Sequence, residues 1–479
     1  MRTGVWKTFQ SLSVRNYRLF ATGQLGRLIA VWMIFVAQDW LVLKLSGDSA
    51  AAVGFTVALQ FTPVMLLSLV GGALADRYDK RKLLMIVNSA WSVVATILAI
   101  LVLTGAVRLW HVFTTAALIG VANAMENPIR QSFISELVGN TLLPNALALN
   151  SAIFNTARIA GPAFAGGAIA LIGLGSTFLI AAVAAISPLF SLSRMRPREL
   201  HREGVPAPGT RRARIVDGLL YVARRSDLAM PIALVAVVGA AGFNFQVTLP
   251  VLSKVVYHTG PAAFGLLAAA LAAGSLAGAL AGSWRRERPS AYVLLAAAIG
   301  FGVFSILVGL ASPYWLVLTL LVPTGFFAVY FAQAANQRVQ LGSDPAVRGR
   351  VMALYILVFL GTTPLGALAV GWWAERFGAP SAIWLGGVAS LLAAVVGLIW
   401  QLRHHGEQLR IQLRPRPKVA VVSAVPLPRE PEPRPGARHP RSRHPEPRHP
   451  DRAVPHRVVP LRAAARRATR ARAIMKLRS

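Results

Sequence analysis

Residues 289–337 form a run of 49 residues without one ionised side chain. About 20 apolar residues suffice to cross the hydrocarbon core of a bilayer, so this run is long enough for two transmembrane helices. We place the turn between them at residues 311–313, where Ala-Ser-Pro interrupts the apolar sequence. Of all 479 residues, 55% are hydrophobic and 14% charged, which excludes a soluble enzyme or a disordered protein for most of the chain.

Similar uncharged runs predict twelve transmembrane helices between residues 17 and 402, with another turn at residues 173–176. The predicted fold is an all-α polytopic membrane protein made of two pseudo-symmetric six-helix halves. Gly-Ala-Leu-Ala at residues 72–75 recurs at residues 278–281, which favours duplication of one half. The predicted units are the N-terminal half (1–195), a linker with an amphipathic helix or a plain spacer (196–227), the C-terminal half (228–402) and a tail (403–479).

Basic residues predict the orientation. Lys and Arg concentrate in alternate loops, such as residues 77–82 and 194–225, and positively charged loops remain in the cytoplasm. Both termini are therefore expected to be cytoplasmic, in the inner membrane of a bacterium. The Pro-rich tail holds 20 basic and 5 acidic residues from residue 401 onward; we expect it to be disordered and to bind anionic lipid rather than nucleic acid.

The segment Gly-Gly-Ala-Leu-Ala-Asp-Arg-Tyr-Asp-Lys-Arg-Lys (71–82) resembles the loop signature of the major facilitator superfamily. Residues 16–25, 36–47, 58–72, 126–138, 144–166 and 348–355 are similar to the branch of enterobactin exporters and drug-efflux permeases. This resemblance implies the major facilitator fold and export of drug-like or siderophore-like compounds in exchange for protons. The second half lacks the aspartate of the signature, since Gly-Ser-Trp-Arg-Arg follows the repeat at residues 282–286.

The resemblance also implies a conformational gate near the signature, in which Arg130 and Asp76 meet the region of Arg348. Glu126 and Arg130 are four residues apart and can pair on one helix face, so a static ion pair is the alternative to a gate. The gate candidates are Gly72, Asp76, Arg77, Lys80, Arg81, Glu126 and Arg130.

Charged residues inside the predicted spans require an explanation, because each costs roughly 2.5–3.5 kcal/mol at mid-membrane. Asp39 and Glu126 are candidate proton carriers, since burial favours the protonated carboxyl group; Asp39 could instead belong to an interfacial belt. Arg27 and Arg158 would attract anionic substrates or pair with these acids. The cavity candidates are Gln24, Arg27, Gln60, Asn123, Asn155, Arg158, Asn244, Gln246, Gln333 and Asn336.

Helix breaks are predicted at Gly161 and Pro162 and at Gly361 and Pro364, because proline removes a backbone donor; packing alone is the alternative reason. The sequence contains no cysteine and no metal-ligand or P-loop spacing. We therefore expect a transporter with no cofactor, no metal and no enzymatic activity. The resemblance implies that the proton gradient drives it, and we expect it to be a monomer. A uniporter or importer, and a transport-inactive scaffold acting through its basic tail, are the alternatives.

Overall fold

The structure is a computed structural model that describes residues 9–201, 215–285, 287–345, 347–405, 407–412 and 418–423. The described part is helical up to residue 405. Its helices are α1 (Arg15–Leu45), α2 (Ala50–Arg77), α3 (Lys80–Leu103), α4 (Leu109–Ala184), α5 (Ser187–Ser193), α6 (Ile215–Ala223), α7 (Ser226–Ala241), α8 (Phe245–Val251), α9 (Pro261–Ser283), α10 (Ala291–Leu310), α11 (Tyr314–Gly342), α12 (Arg348–Phe377) and α13 (Ala379–His405).

Ten helical stretches in the described part are long and apolar enough to cross a membrane. One of them, Leu109–Ser193, has 85 residues, and at 1.5 Å per residue it would be about four times too long for one crossing. Its backbone leaves the helical conformation at Gly139 (φ 67°) and Gly173 (φ 82°), a region that glycine adopts readily. It therefore supplies three crossings, and the described part has the twelve that the sequence predicts.

The predicted turns lie where the sequence places them. Gly173 opens the turn between the second and third segments of α4, and α10 ends at Leu310 before α11 begins at Tyr314. The linker contains α6, while its residues 202–214 lie outside the described residues.

The beginning of the predicted disordered tail is ordered in the structure. Helix α13 continues to His405, and strands β1 (Glu407–Gln412) and β2 (Lys418–Ser423) then pair antiparallel, with Glu407 opposite Ser423. Strand β2 contains β-branched residues, which favour strands. The prediction of disorder rests on the proline content of the whole tail and does not consider this short segment separately. Residues 424–479, which hold most of the predicted tail, lie outside the described residues.

The two halves meet through pairs of helices that touch at one end. Helices α2 and α12 pack together, as do the second segment of α4 and α9. A Cβ added to Gly54 would lie 3.1 Å from the Cα of Gly371, and one added to Gly166 would lie 3.0 Å from the Cα of Gly265. Both contacts lie at the end of the bundle that carries the α1–α2 loop, which we call the distal end. The opposite end, which carries Arg77 and Arg81, is the basic end.

Toward the basic end, α2 and α12 separate. Met65 still reaches Gly361, where an added Cβ would lie 3.2 Å from its sulfur atom. Gly72 is 18 residues, or five helical turns, beyond Gly54 and so lies on the same face of α2. A Cβ at Gly72 would nevertheless meet no atom of the described residues within 4 Å. The two halves therefore touch at the distal end and leave open space beside α2 at Gly72, near the basic end; we call this arrangement the wedge.

Candidate functional site

A cavity of about 360 Å³ lies between the two halves, at the closed side of the wedge. It is bounded by α1, α2, α4, α7, α8, α9, α11 and α12, so both halves contribute to its wall. Most of the lining is apolar, and its aromatic members are Trp32, Phe35, Phe61, Phe243, Phe245, Phe264 and Phe359. Its volume and apolar wall are those of a site for a small organic molecule.

Two oppositely charged side chains line this cavity. Asp39, on α1, is 1% exposed and borders the cavity; its Oδ1 has no hydrogen-bond partner in the described part of the chain. Arg158, on the second segment of α4, also borders the cavity, and its guanidinium carbon lies 5.8 Å from the centroid of the Trp32 ring. Neither side chain forms an ion pair with another described residue, so each has its charge available to a ligand.

Three glutamines connect the cavity to the distal end and cross from one half to the other. Gln246 on α8 donates to Oε1 of Gln60 on α2 (2.9 Å). Gln60 donates to Oε1 of Gln38 on α1 (2.9 Å), and Gln38 donates to the carbonyl oxygen of Val112 (3.1 Å). The Gln246–Gln60 hydrogen bond must break whenever the halves separate here, so this chain stabilises the closed distal end.

Further contacts between the halves cover the cavity on its distal side. Trp40 stacks on Phe264 with ring centroids 6.2 Å apart, and Lys254 forms an ion pair with Asp48. The backbone N–H of Ala51 donates to Oε2 of Glu375 (3.2 Å). Aromatic packing and two polar contacts thus separate the cavity from the distal surface.

A second group of charges is buried inside the N-terminal half and away from the cavity. Glu126, 1% exposed, forms ion pairs with Arg27 (3.5 Å) and Arg130 (3.1 Å). Arg27 also donates to Asn123 (3.3 Å), while Arg130 donates to the side chains of Asn127 (3.0 Å) and Asn150 (3.3 Å). One carboxylate therefore balances two guanidinium groups in a site closed to water.

This arrangement bears on alternatives that the sequence leaves open. Arg27 is a partner of Glu126 and does not line the cavity, although the sequence suggests it as a substrate ligand. Because Glu126 holds two cations, its protonation would leave both of them without a counter-charge. Asp39 is the carboxyl group that the structure places beside the cavity.

The predicted cavity residues separate into two groups. Arg158 and Gln246 line the cavity, and Gln60 contacts it through Gln246. Asn155 instead donates to the carbonyl group of Ser151 on its own helix. Asn244, which lies between α7 and α8, donates to the carbonyl group of Ala240 in α7. The predicted residues outside the lining are Gln24, Arg27, Gln60, Asn123, Asn155, Asn244, Gln333 and Asn336.

The sequence analysis missed most of the aromatic lining. Trp32, Phe35 and Asp39 follow one another at spacings of three and four residues, which places them on one face of α1. Aromatic residues on the same helix face as a carboxylate inside a span could have indicated the cavity wall from the sequence. Of the predicted kink residues, Pro162 lines the cavity, Gly161 packs against α1 and Gly361 faces Met65, while Pro364 is buried in α12.

The gate predicted around the loop signature is not assembled in this conformation. Asp76 and Arg77 are exposed, and no ion pair joins Asp76 to another described residue. Lys80 pairs with Glu136 (2.5 Å), and Arg81 donates to the carbonyl groups of Leu192 and Ser193 (2.7 and 3.1 Å). These contacts all lie within the N-terminal half.

At the basic end of the C-terminal half, a different residue supplies the carboxylate that the repeated loop lacks. Asp227, at the start of α7, accepts Arg225 (2.9 Å) and Arg288 (2.8 Å). The hydrogen bonding of Arg225 to Asp227 raises the pKa of Arg225 above its usual range. Tyr221 of the linker helix α6 donates to Asp344 (2.6 Å), so the same cluster fixes α6 to the C-terminal half.

Comparison with known proteins identifies a family and several relatives of this chain. A family model described as transmembrane secretion effector matches residues 7–425. The staphyloferrin A transporter of Staphylococcus aureus is 25% identical over 375 residues, which cover 76% of this chain and 91% of that protein. The multidrug efflux pump Tap of Mycolicibacterium fortuitum is 28% identical over 379 residues, which cover 76% of this chain and 90% of that protein.

Solved structures share the architecture at low sequence identity. A D-xylose–proton symporter superposes with a TM-score of 0.63 at 13% identity, covering 80% of this chain and 97% of that one. A bacterial homologue of the human lysosomal transporter Spinster, in an inward-facing and unoccupied conformation, gives 0.59 at 15% identity, covering 82% and 95%. At these identities the likeness concerns the fold alone.

Proposed function

Because the chain belongs to the transmembrane secretion effector family of the major facilitator superfamily, we propose that it exports small organic molecules in exchange for protons. The chain is a multi-pass membrane transporter and not an enzyme. Its relatives include a protein named as a multidrug efflux pump, which favours export over import. The observation that carries the proposal is the cavity between the halves, closed distally, with a buried Asp39 in its wall that forms no ion pair with another described residue.

Alternating access explains the wedge. Short basic loops remain in the cytoplasm, so the basic end is the cytoplasmic end in this proposal, with both termini there in the bacterial inner membrane. The conformation then takes substrate from the cytoplasm. Release requires the halves to rock about the cavity, so that the contacts of Gly54 and Gly166 open and the faces near Gly72 close.

Asp39 is the proton site in this proposal. A carboxyl group removed from water gains stability by binding a proton, and no cation among the described residues pairs with Asp39 to oppose this. Substrate and proton reach Asp39 from the same cavity, so binding of one disfavours the other. This competition is the simplest form of coupled exchange.

Substitution of Asp39 by asparagine should remove the proton dependence of transport. Asn keeps the shape of the side chain but binds no proton at working pH. We expect efflux driven by the proton gradient to fall at least about tenfold, which corresponds to 1.4 kcal/mol, while substrate counterflow without a gradient continues. Transport in proteoliposomes with and without an imposed pH gradient measures both. Unchanged gradient-driven efflux in Asp39→Asn would contradict the assignment.

The ion pair between Asp48 and Lys254 should stabilise the inward-open conformation weakly, because both side chains are partly exposed. Asp48→Lys places two like charges together at the distal end and should shift the conformational equilibrium toward the outward-open form by a few-fold, since exposed pairs contribute about 0–1 kcal/mol. Distances between spin labels across the distal end measure the shift. The double exchange Asp48→Lys with Lys254→Asp should restore the original distribution, and failure to do so would remove the pair from the gate.

The proposal is tested by efflux from cells that produce the protein. Cells are loaded with a panel of antibacterial compounds, fluorescent dyes and a citrate-type siderophore, with and without a protonophore. Lower accumulation of at least one compound that depends on the proton gradient supports export. Accumulation unaffected by the protonophore would instead favour a uniporter, and gradient-driven uptake would favour an importer.

Deletion of the tail distinguishes a transporter from a transport-inactive scaffold. Deletion of residues 424–479 should leave the efflux of a transporter largely intact, because the cavity and both halves precede this segment. A scaffold that acts through its basic tail would lose its function on the same deletion.

A further inference from the structure

The two unpaired charged groups of the cavity lie beside different turns of α1. Asp39 follows Trp32 by seven residues on α1, which is about 10 Å along the helix axis. The guanidinium group of Arg158 lies beside the Trp32 ring, and Arg158 and Asp39 form no ion pair with each other among the described contacts. The cavity thus has a cationic region near Trp32 and an anionic region near its closed distal side.

Aromatic side chains line the cavity between these two regions. Phe35 lies between Trp32 and Asp39 on the same face of α1, and Phe61, Phe243 and Phe359 enclose the cavity from the other helices. Such walls favour a flat apolar body, because aromatic rings bury large areas and stack with defined geometry. A fully polar ligand would lose its hydration here without replacement.

Resting on the proposed function, we infer that the preferred substrate is an aromatic zwitterion that spans the cavity, with its anionic group at Arg158 and its ammonium group at Asp39. Each buried charge then acquires a counter-charge from the ligand, which neither a monocation nor a monoanion can supply. A monocation would leave Arg158 unbalanced and repelled. A monoanion would leave Asp39 with only its proton, so neither analogue can form both ion pairs. The ammonium group takes the place of the proton on Asp39 during each cycle.

A rigid probe series tests the inference. The zwitterion is a biphenyl with an aminomethyl group at one end of its long axis and a carboxylate at the other. Its methyl ester is the cationic analogue, and the compound with methyl in place of aminomethyl is the anionic one. Binding to the purified full-length protein in lipid nanodiscs is measured by calorimetry, with empty nanodiscs as the blank. We expect the zwitterion to bind at least about tenfold more tightly than either analogue, as charge-assisted hydrogen bonds warrant.

Two variants assign the charges. In Arg158→Gln the zwitterion should bind no more tightly than its methyl ester, because the carboxylate has lost its partner. In Asp39→Asn the zwitterion should bind no more tightly than the anionic analogue, because the ammonium group has lost its partner. The matched controls are Arg108→Gln and Glu287→Gln, which change exposed residues outside the cavity and should preserve the wild-type order.

The inference is overturned if wild-type protein fails to bind the zwitterion or binds one singly charged analogue as tightly. It is also overturned if both variants weaken all three compounds equally, since that indicates a damaged fold and no charge recognition. The measurement needs no transport. If the protein binds the zwitterion through both charges but shows no efflux, the inference holds and the proposed export is rejected. If the protein exports other compounds but does not prefer the zwitterion, export holds and the inference is rejected.

Discussion

Gly72→Leu is expected to abolish transport while the protein folds and inserts normally. In the present conformation a side chain at position 72 enters open space, since no described atom lies within 4 Å of an added Cβ. The same side chain would fill the gap that must close when the basic end of α2 meets α12. The transport cycle must pass through the form that is closed at the basic end. If the substitution lowers the population of that form about a hundredfold, turnover falls about a hundredfold.

The matched control for this substitution is Gly167→Leu. Gly167 also has room for a Cβ among the described residues, but it lies on α4 near the distal end, away from the α2–α12 gap. This control should therefore transport at nearly the wild-type rate. Efflux assays, together with spin-label distances across the basic end, measure both variants. Near-normal transport by Gly72→Leu would contradict the proposed closure.

Glu126→Gln is expected to lower the free energy of unfolding by about 3–5 kcal/mol, the usual cost of breaking a buried ion pair. The amide retains the size of the side chain but leaves Arg27 and Arg130 buried without a counter-charge. Unfolding in mixed micelles, followed by the loss of helical signal, measures the change.

Glu136→Gln provides the comparison for that loss. Glu136 also pairs with a cation, Lys80, but the two side chains are 15% and 20% exposed. A partly solvated pair contributes about 0–1 kcal/mol, so this variant should unfold near the wild-type midpoint. Equal destabilisation by the two substitutions would show that the buried cluster has no special structural importance.

The helical architecture was predictable because it depends on local sequence. Uncharged runs specify crossings one at a time, and glycines such as Gly173 indicate turns through their own backbone freedom. The order of helices along the chain then restricts a twelve-helix protein to few arrangements. The hairpin of β1 and β2 was missed because composition was averaged over the whole tail.

The site was less predictable because it depends on contacts between distant segments. Spacing identified Glu126 and Arg130 as neighbours, yet no local rule shows that Arg27 joins them across helices. Asp39 and Arg158 were both singled out as charges within spans, but their common cavity follows only from how the two halves pack. The conformational state is likewise a property of the assembled halves, visible in the divergence of α2 from α12.

The central claim is that proton movement through this protein is coupled to substrate export at Asp39. Everted membrane vesicles that are energised and loaded with a pH-sensitive dye test it, using a substrate identified by the efflux panel. The account predicts that added substrate releases protons from vesicles containing the wild-type protein and releases none from vesicles containing Asp39→Asn. Equal proton release from both, or no release from vesicles that demonstrably take up the substrate, would contradict it.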